Sequence, residues 1–153
     1  MSLRLQHTLG CALVGFGGLI YLAFRPTTIL LFHIADGMGL MPLIAQWRSL
    51  MATWQPSEFW VYSLPGGLWA SAYILLVYGL LERQSTLLRL TVASSIPLVG
   101  VISELLQGAH CLPGVFDWAD LLCYAAPLGL LYMYEIIKNK RICHGWIAST
   151  VSN

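Results

Sequence analysis

Apolar residues run almost unbroken through four stretches of the chain, residues 5–24, 60–81, 87–106 and 118–137. A helix needs about 20 such residues to cross the hydrocarbon layer of a bilayer, so each stretch is read as a membrane span. The expected architecture is all-α, a polytopic transmembrane helix bundle forming a single domain over residues 1–153. Gly15, Gly17 and Gly18 give the first helix a smooth face for close contact with a neighbour. Pro65, Pro97 and Pro127 fall within the other three helices, where proline is tolerated if neighbours satisfy the carbonyl it frees.

Residues 27–47 are also apolar, but His33, Asp36, Gly37, Gly39 and Pro42 interrupt them. A charged side chain at mid-bilayer costs roughly 2.5–3.5 kcal/mol on insertion scales. The segment is therefore read as a pair of short re-entrant or interfacial helices hinged near Asp36-Gly37, not as a fifth span. Residues 51–59, with Pro56 and Ser57, read as a loop. Arg4 ahead of the apolar run Leu9 to Phe24 has the outline of a signal peptide, but the run ends in Phe24-Arg25-Pro26 and not in a small-x-small cleavage site. It is expected to remain as the first helix.

Composition agrees with this pattern. Hydrophobic residues make up 58% of the chain and charged residues 10%, against about 25% charged in a soluble domain. A surface that apolar must face lipid, so the bilayer is the first partner expected. The net charge is +1 with no Lys/Arg-rich run, which argues against nucleic acid. The four cysteines, at 11, 111, 123 and 143, show no metal-ligand spacing and predict no disulfide framework. Cys11 and Cys123, inside apolar runs, are expected as small buried hydrophobes. There is no P-loop, HExxH helix, GxSxG elbow or dinucleotide fingerprint, and no cofactor is expected.

Four spans place Arg4, Arg83, Arg89, Lys138, Lys140 and Arg141 on one side and only Arg25 and Arg48 on the other. The basic side faces the cytoplasm by the positive-inside rule, so both termini are expected there. Trp47, Trp54, Trp60 and Trp118 then fall near the outer interface, where amphipathic rings prefer to sit.

In that topology Asp36, Glu58, Glu104, Asp117 and Asp120 lie toward the outer face, and Glu82 and Glu135 toward the cytoplasm. Glu104 and Gln107 share a helix face, as do Asp117 and Asp120. The connection through His110, Pro113 and Gly114 is short, so the third and fourth spans are antiparallel neighbours. Glu104, Gln107, Asp117 and Asp120 can thus meet at one end of the bundle, with His110 leaning over them. Glu104 is the strongest candidate, because a carboxyl group inside an apolar helix is costly unless paired, hydrated or protonated. Arg25 or Arg48 could pair with it, and His33 and Asp36 could line the rim. Plainer readings exist: Asp117 as a helix N-cap with Asp120 completing a capping box, Pro113-Gly114 as a turn, and His110 as a solvated loop residue. Tyr62, Trp69 and Tyr73 read as packing residues, and Ser94 and Ser95 as local partners for backbone groups near Pro97.

The series Glu104-x-x-Gln107, Pro113-Gly114, Asp117-x-x-Asp120 resembles the signature of VanZ-like membrane proteins, a family named for a protein linked to teicoplanin resistance. The likeness covers Glu104 to about Gly129, together with the helical layout. The chain departs from it at Val115, where an arginine often follows the Pro-Gly pair, and at Tyr124, where an asparagine often stands. The resemblance implies a small multi-pass protein of the bacterial cytoplasmic membrane, part of the cell envelope and associated with antibiotic resistance. It would engage a lipid or glycopeptide-type ligand through Glu104, Gln107, His110, Asp117 and Asp120. Two alternatives stay open. One is a membrane enzyme on a lipid-linked substrate, with Glu104 as general base and Asp117 and Asp120 holding a metal. The other is a non-catalytic assembly subunit that forms a homo-oligomer or joins a membrane partner.

Overall fold

The computed structural model describes residues 2–151, with side chains over residues 2–140. Helix α1 spans Leu3–Phe24, α2 Leu30–Gly37, α3 Met41–Met51, α4 Leu64–Leu80, α5 Thr86–Gly108 and α6 Trp118–Val151. Four segments are long and apolar enough to cross a membrane: Leu3–Phe24, Phe59–Leu80, Thr86–Gly108 and Trp118–Lys140. The molecule is an all-helical, multi-pass membrane protein whose successive spans alternate in direction.

α4 is the hub. It packs against α1, α5 and α6, whereas α1 touches neither α5 nor α6. Small residues allow the approach. A Cβ on Gly17 would lie 2.7 Å from the Trp69 ring nitrogen, and one on Gly10 would lie 2.7 Å from the Leu76 side chain. The expected glycine face on α1 is therefore divided: Gly17 meets α4, while Gly15 and Gly18 have nothing near them. Cys11 is exposed, not buried as expected. It lies one residue past the contact position Gly10, and a single residue step of about 100° turns it off the packed stripe. Cys123 is half-buried, Cys11, Cys111 and Cys123 are free, and the Cys143 side chain lies outside the described residues, as does that of Arg141.

The backbone around the three span prolines is accommodated in different ways. Before Pro65, residues Phe59–Ser63 form one π-helical turn, with Leu64 N–H bonding back to Phe59 O. Pro65 has no N–H for Val61 O, and the wider register adjusts the ladder there. Pro127 frees Cys123 O, and Gly67 lets α4 come so close that a Cβ would sit 3.2 Å from that oxygen. Around Pro97, Ser95 Oγ and Tyr73 OH both donate to Val92 O, at 2.8 and 3.0 Å. Ser94 instead meets the Tyr132 hydroxyl at 3.2 Å. Trp69 Nε1 donates to Val14 O across the α1–α4 contact, so these aromatic residues pack and brace, as expected.

Residues 27–51 form two short helices, too short to span. The hinge is at Met38-Gly39-Leu40, two residues beyond the expected Asp36-Gly37, because Gly39 supplies the left-handed backbone (φ +70°) that reverses the chain. Phe32, Ala35 and Ile44 form a small core of their own with Leu22, Ile29 and Met41. Trp47 Nε1 donates to Leu19 O and Arg48 Nη1 donates to Leu22 O and Arg25 O. Pro26 has no N–H to give Leu22 O, so the arginine replaces the missing helical donor.

Candidate functional site

The α5–α6 connection holds the acidic residues at the end of the bundle away from the termini. α5 closes in a Schellman arrangement: Cys111 N–H bonds to Leu106 O at 2.8 Å and His110 N–H to Gln107 O at 3.0 Å. This geometry needs a left-handed residue, and His110 takes it with φ +57°. Its side chain is exposed, with no hydrogen bond among the described residues. His110 therefore serves the turn and makes no hydrogen bond to the acidic group among the described residues. Glycine is the usual occupant, because a side chain in this backbone region costs roughly 1–2 kcal/mol. His110→Gly is expected to raise stability by about 1 kcal/mol, read as a higher unfolding midpoint in detergent; a lowered midpoint would show that the imidazole has a structural contact.

The chain then crosses Gly114 (φ +141°), which packs so tightly on the Gln107 side chain that a Cβ there would collide with Oε1. Gln107 is thus a support for the Pro113-Gly114 turn. Asp117 caps α6, with its Oδ1 accepting from Ala119 N–H at 2.8 Å. The capping box expected with Asp120 does not form. Asp117 N–H donates instead to Glu104 Oε2, a long bond of 3.4 Å that reaches from α5 to the start of α6. Glu104 is 6% exposed, so this carboxylate joins the two spans from within. Asp117 is exposed and Asp120 half-buried; both lie close enough for their negative charges to act on Glu104.

The expected partners of Glu104 are engaged elsewhere. Arg48 caps α1, and Arg25 stacks on Tyr62 and Tyr21 with its guanidinium carbon 4.5 and 5.2 Å from their ring centroids. His33 and Asp36 are exposed on α2, which packs on α3 and, through the core around Phe32, against Leu22. Among the described residues no three of His, Cys, Asp and Glu converge in a way that could hold a metal. The site can accept hydrogen bonds through several carboxylate oxygens at the boundary of an apolar bundle, with no lysine or arginine within 4 Å of them among the described residues.

Sequence reasoning passed over three features. Tyr124, noted only as a departure from a motif, inserts its ring beside Glu104's helix: a Cβ on Gly100 would lie 2.6 Å from the ring, and one on Gly66 2.9 Å from the hydroxyl. Two glycines on different helices facing one large aromatic residue were the available signal. At the opposite end, Arg89 and Glu135 are 8% and 4% exposed, although both were read as charges on a wet face. Arg89 Nη2 donates to Tyr78 O near the end of α4 at 3.2 Å, and its guanidinium lies over the Tyr78 ring at 3.8 Å. Leu128, Leu131 and Glu135 follow i, i+3, i+7 spacing on α6, which put Glu135 on the core face from the start. Glu135 meets Lys138 at 3.6 Å. No protein-family model matches the chain, and neither a curated protein nor a solved structure matches it.

Proposed function

We propose that the protein is a VanZ-like component of the bacterial cell envelope that engages a lipid or glycopeptide-type ligand at the outer boundary of the cytoplasmic membrane, with both termini in the cytoplasm. The buried Glu104 carboxylate, flanked by Asp117 and Asp120 and without a basic partner among the described residues, is the observation that supports this reading. Carboxylates so placed accept hydrogen bonds from hydroxyl, amide or ammonium groups, and such donors are abundant on sugar and peptide headgroups. Glu104 does two things in this scheme: Oε2 fixes the start of α6, and Oε1 remains to meet the ligand. Asp120 adds acceptor oxygens, while Gln107 keeps the loop in position. The basic end of the bundle supports the orientation.

Glu104→Gln retains an acceptor for Asp117 N–H and removes the charge. Loss of one charge-assisted hydrogen bond corresponds to about tenfold weaker binding. Cells carrying E104Q at matched protein level should therefore lose any glycopeptide protection the wild type confers. Glu104→Ala should do the same and also lower stability. Unchanged susceptibility in both variants, with wild-type protection present, counts against a ligand role for this residue.

A further inference from the structure

α1 and α6 both pack on α4 but not on each other, and the gap between them is a lateral cleft of about 310 Å³. Gln6, Ser71, Leu75, Tyr78, Leu130 and Tyr134 line it. Ser71 and Tyr78 are seven residues apart on α4, so the cleft runs about 10 Å along the bundle axis, from mid-bundle toward the end that carries the termini. Its deeper walls are aliphatic. The lining is apolar almost throughout, and Gln6, Tyr78 and Tyr134 are its residues nearest the end that carries the termini.

Two further observations point to a ligand at that end. Among the described residues the Tyr78 hydroxyl is buried without a hydrogen-bond partner, and Tyr78 itself, which lines the cleft, is only 4% exposed. A buried unsatisfied polar group costs about 1–3 kcal/mol, so an acceptor reaching this hydroxyl would be favoured. The charge at this end is also positive: Arg4, Arg83, Arg89, Lys138 and Lys140 against Glu82 and Glu135. Lys138 stands one turn beyond Tyr134 on the same face of α6, where it pairs with Glu135 at 3.6 Å. Arg89, over the Tyr78 ring, adds positive potential behind it.

We propose that the cleft holds one anionic phospholipid. Its acyl chain lies between α1 and α6 against Leu75 and Leu130. Its phosphate sits at the rim, accepting from the Tyr78 hydroxyl and from Lys138, which also pairs with Glu135. The apolar cleft, the unpaired Tyr78 hydroxyl and the excess of cations at this end of the bundle follow the order of an amphiphile inserted from the bilayer, and cationic regions between spans on the positive side of a membrane protein attract such headgroups. This site is at the other end of the bundle from Glu104 and does not rest on the reading given for it.

The test is native mass spectrometry of the full chain, purified in detergent, stripped of lipid and reloaded with phosphatidylglycerol or phosphatidylcholine. The wild type should retain one phosphatidylglycerol and little phosphatidylcholine. Leu75→Trp fills the cleft and should abolish retention while the protein still elutes as a folded, monodisperse species. Lys138→Gln changes a partly exposed residue and should weaken phosphatidylglycerol retention about fivefold, since one lysine near an anionic surface contributes about 1 kcal/mol. Equal retention of the two lipids by the wild type overturns the proposal. So does phosphatidylglycerol retention that is unchanged in both variants. If Leu75→Trp does not fold, an unchanged Lys138→Gln is sufficient to reject it.

Discussion

Replacing Arg48 by methionine should release the α2–α3 hairpin from the bundle and cost about 3 kcal/mol. One guanidinium nitrogen serves two carbonyl oxygens, Leu22 O and Arg25 O, each at 2.9 Å. Hydrogen bonds from a charged donor contribute roughly 1.5–3 kcal/mol each, and sharing between two acceptors lowers the sum. The loss is severe because nothing else is placed to help. Pro26 cannot donate to Leu22 O, and apart from this arginine the hairpin is held to α1 by the Trp47 bond to Leu19 O and the small core around Phe32. Methionine keeps the length and apolar contacts of the stem, so the change isolates the polar function. The measurement is hydrogen exchange in detergent: amides of residues 30–51 should lose protection while those of α4 and α5 keep theirs. Full protection in R48M would mean that the apolar contacts alone hold the hairpin. Pro26→Ala in the R48M background should recover part of the loss, because it restores an N–H for Leu22 O.

The same arginine shows where the sequence was legible and where it was not. The spans were visible because membrane insertion depends on length and apolarity, which are local quantities; Thr86 and Gly108 extend the third by only a residue or two beyond 87–106. The short helical hairpin was visible because Asp36 and its neighbouring glycines make a spanning helix costly, and the hinge moved only as far as Gly39, the residue that takes positive φ. Partner choice was another matter. Glu104 was a sound candidate because it lies in an apolar run, but periodicity cannot say that its oxygen would reach the backbone of Asp117 and not an arginine. Arg25, Arg48 and Arg89 were all counted as solvated charges or acid partners, whereas two of them bond helix-end carbonyls and the third stacks on aromatic rings. Helix ends leave carbonyls unpaired, and in a chain with so few polar side chains those carbonyls compete with carboxylates for every guanidinium. The order of that competition is set by tertiary distances, which the sequence encodes only jointly across all four spans.

Gly100→Ala should lower stability by about 1–3 kcal/mol, the usual cost of forcing extra volume into a packed interior. The added Cβ would stand 2.6 Å from Tyr124 Cγ and 2.7 and 2.9 Å from the two Cδ atoms. The stem of an aromatic side chain is its least movable part, and the far end is confined too, because Gly66 faces the Tyr124 hydroxyl. The ring can leave only if α6 shifts against α4 and α5. Such a shift also displaces Asp117 from Glu104, since that bond joins α5 to the start of α6 seven residues before Tyr124. The variant therefore links a packing defect to the acidic site. Tyr124→Leu alone should also destabilise, by leaving a cavity beside Gly66 and Gly100. The two changes together should cost clearly less than their sum, because leucine vacates the volume that the new methyl group needs. Unfolding midpoints of the two single variants and the double variant complete the cycle. Additive losses would show that Tyr124 and Gly100 do not share the space between the helices, and the coupling of the site to helix packing would fall with it.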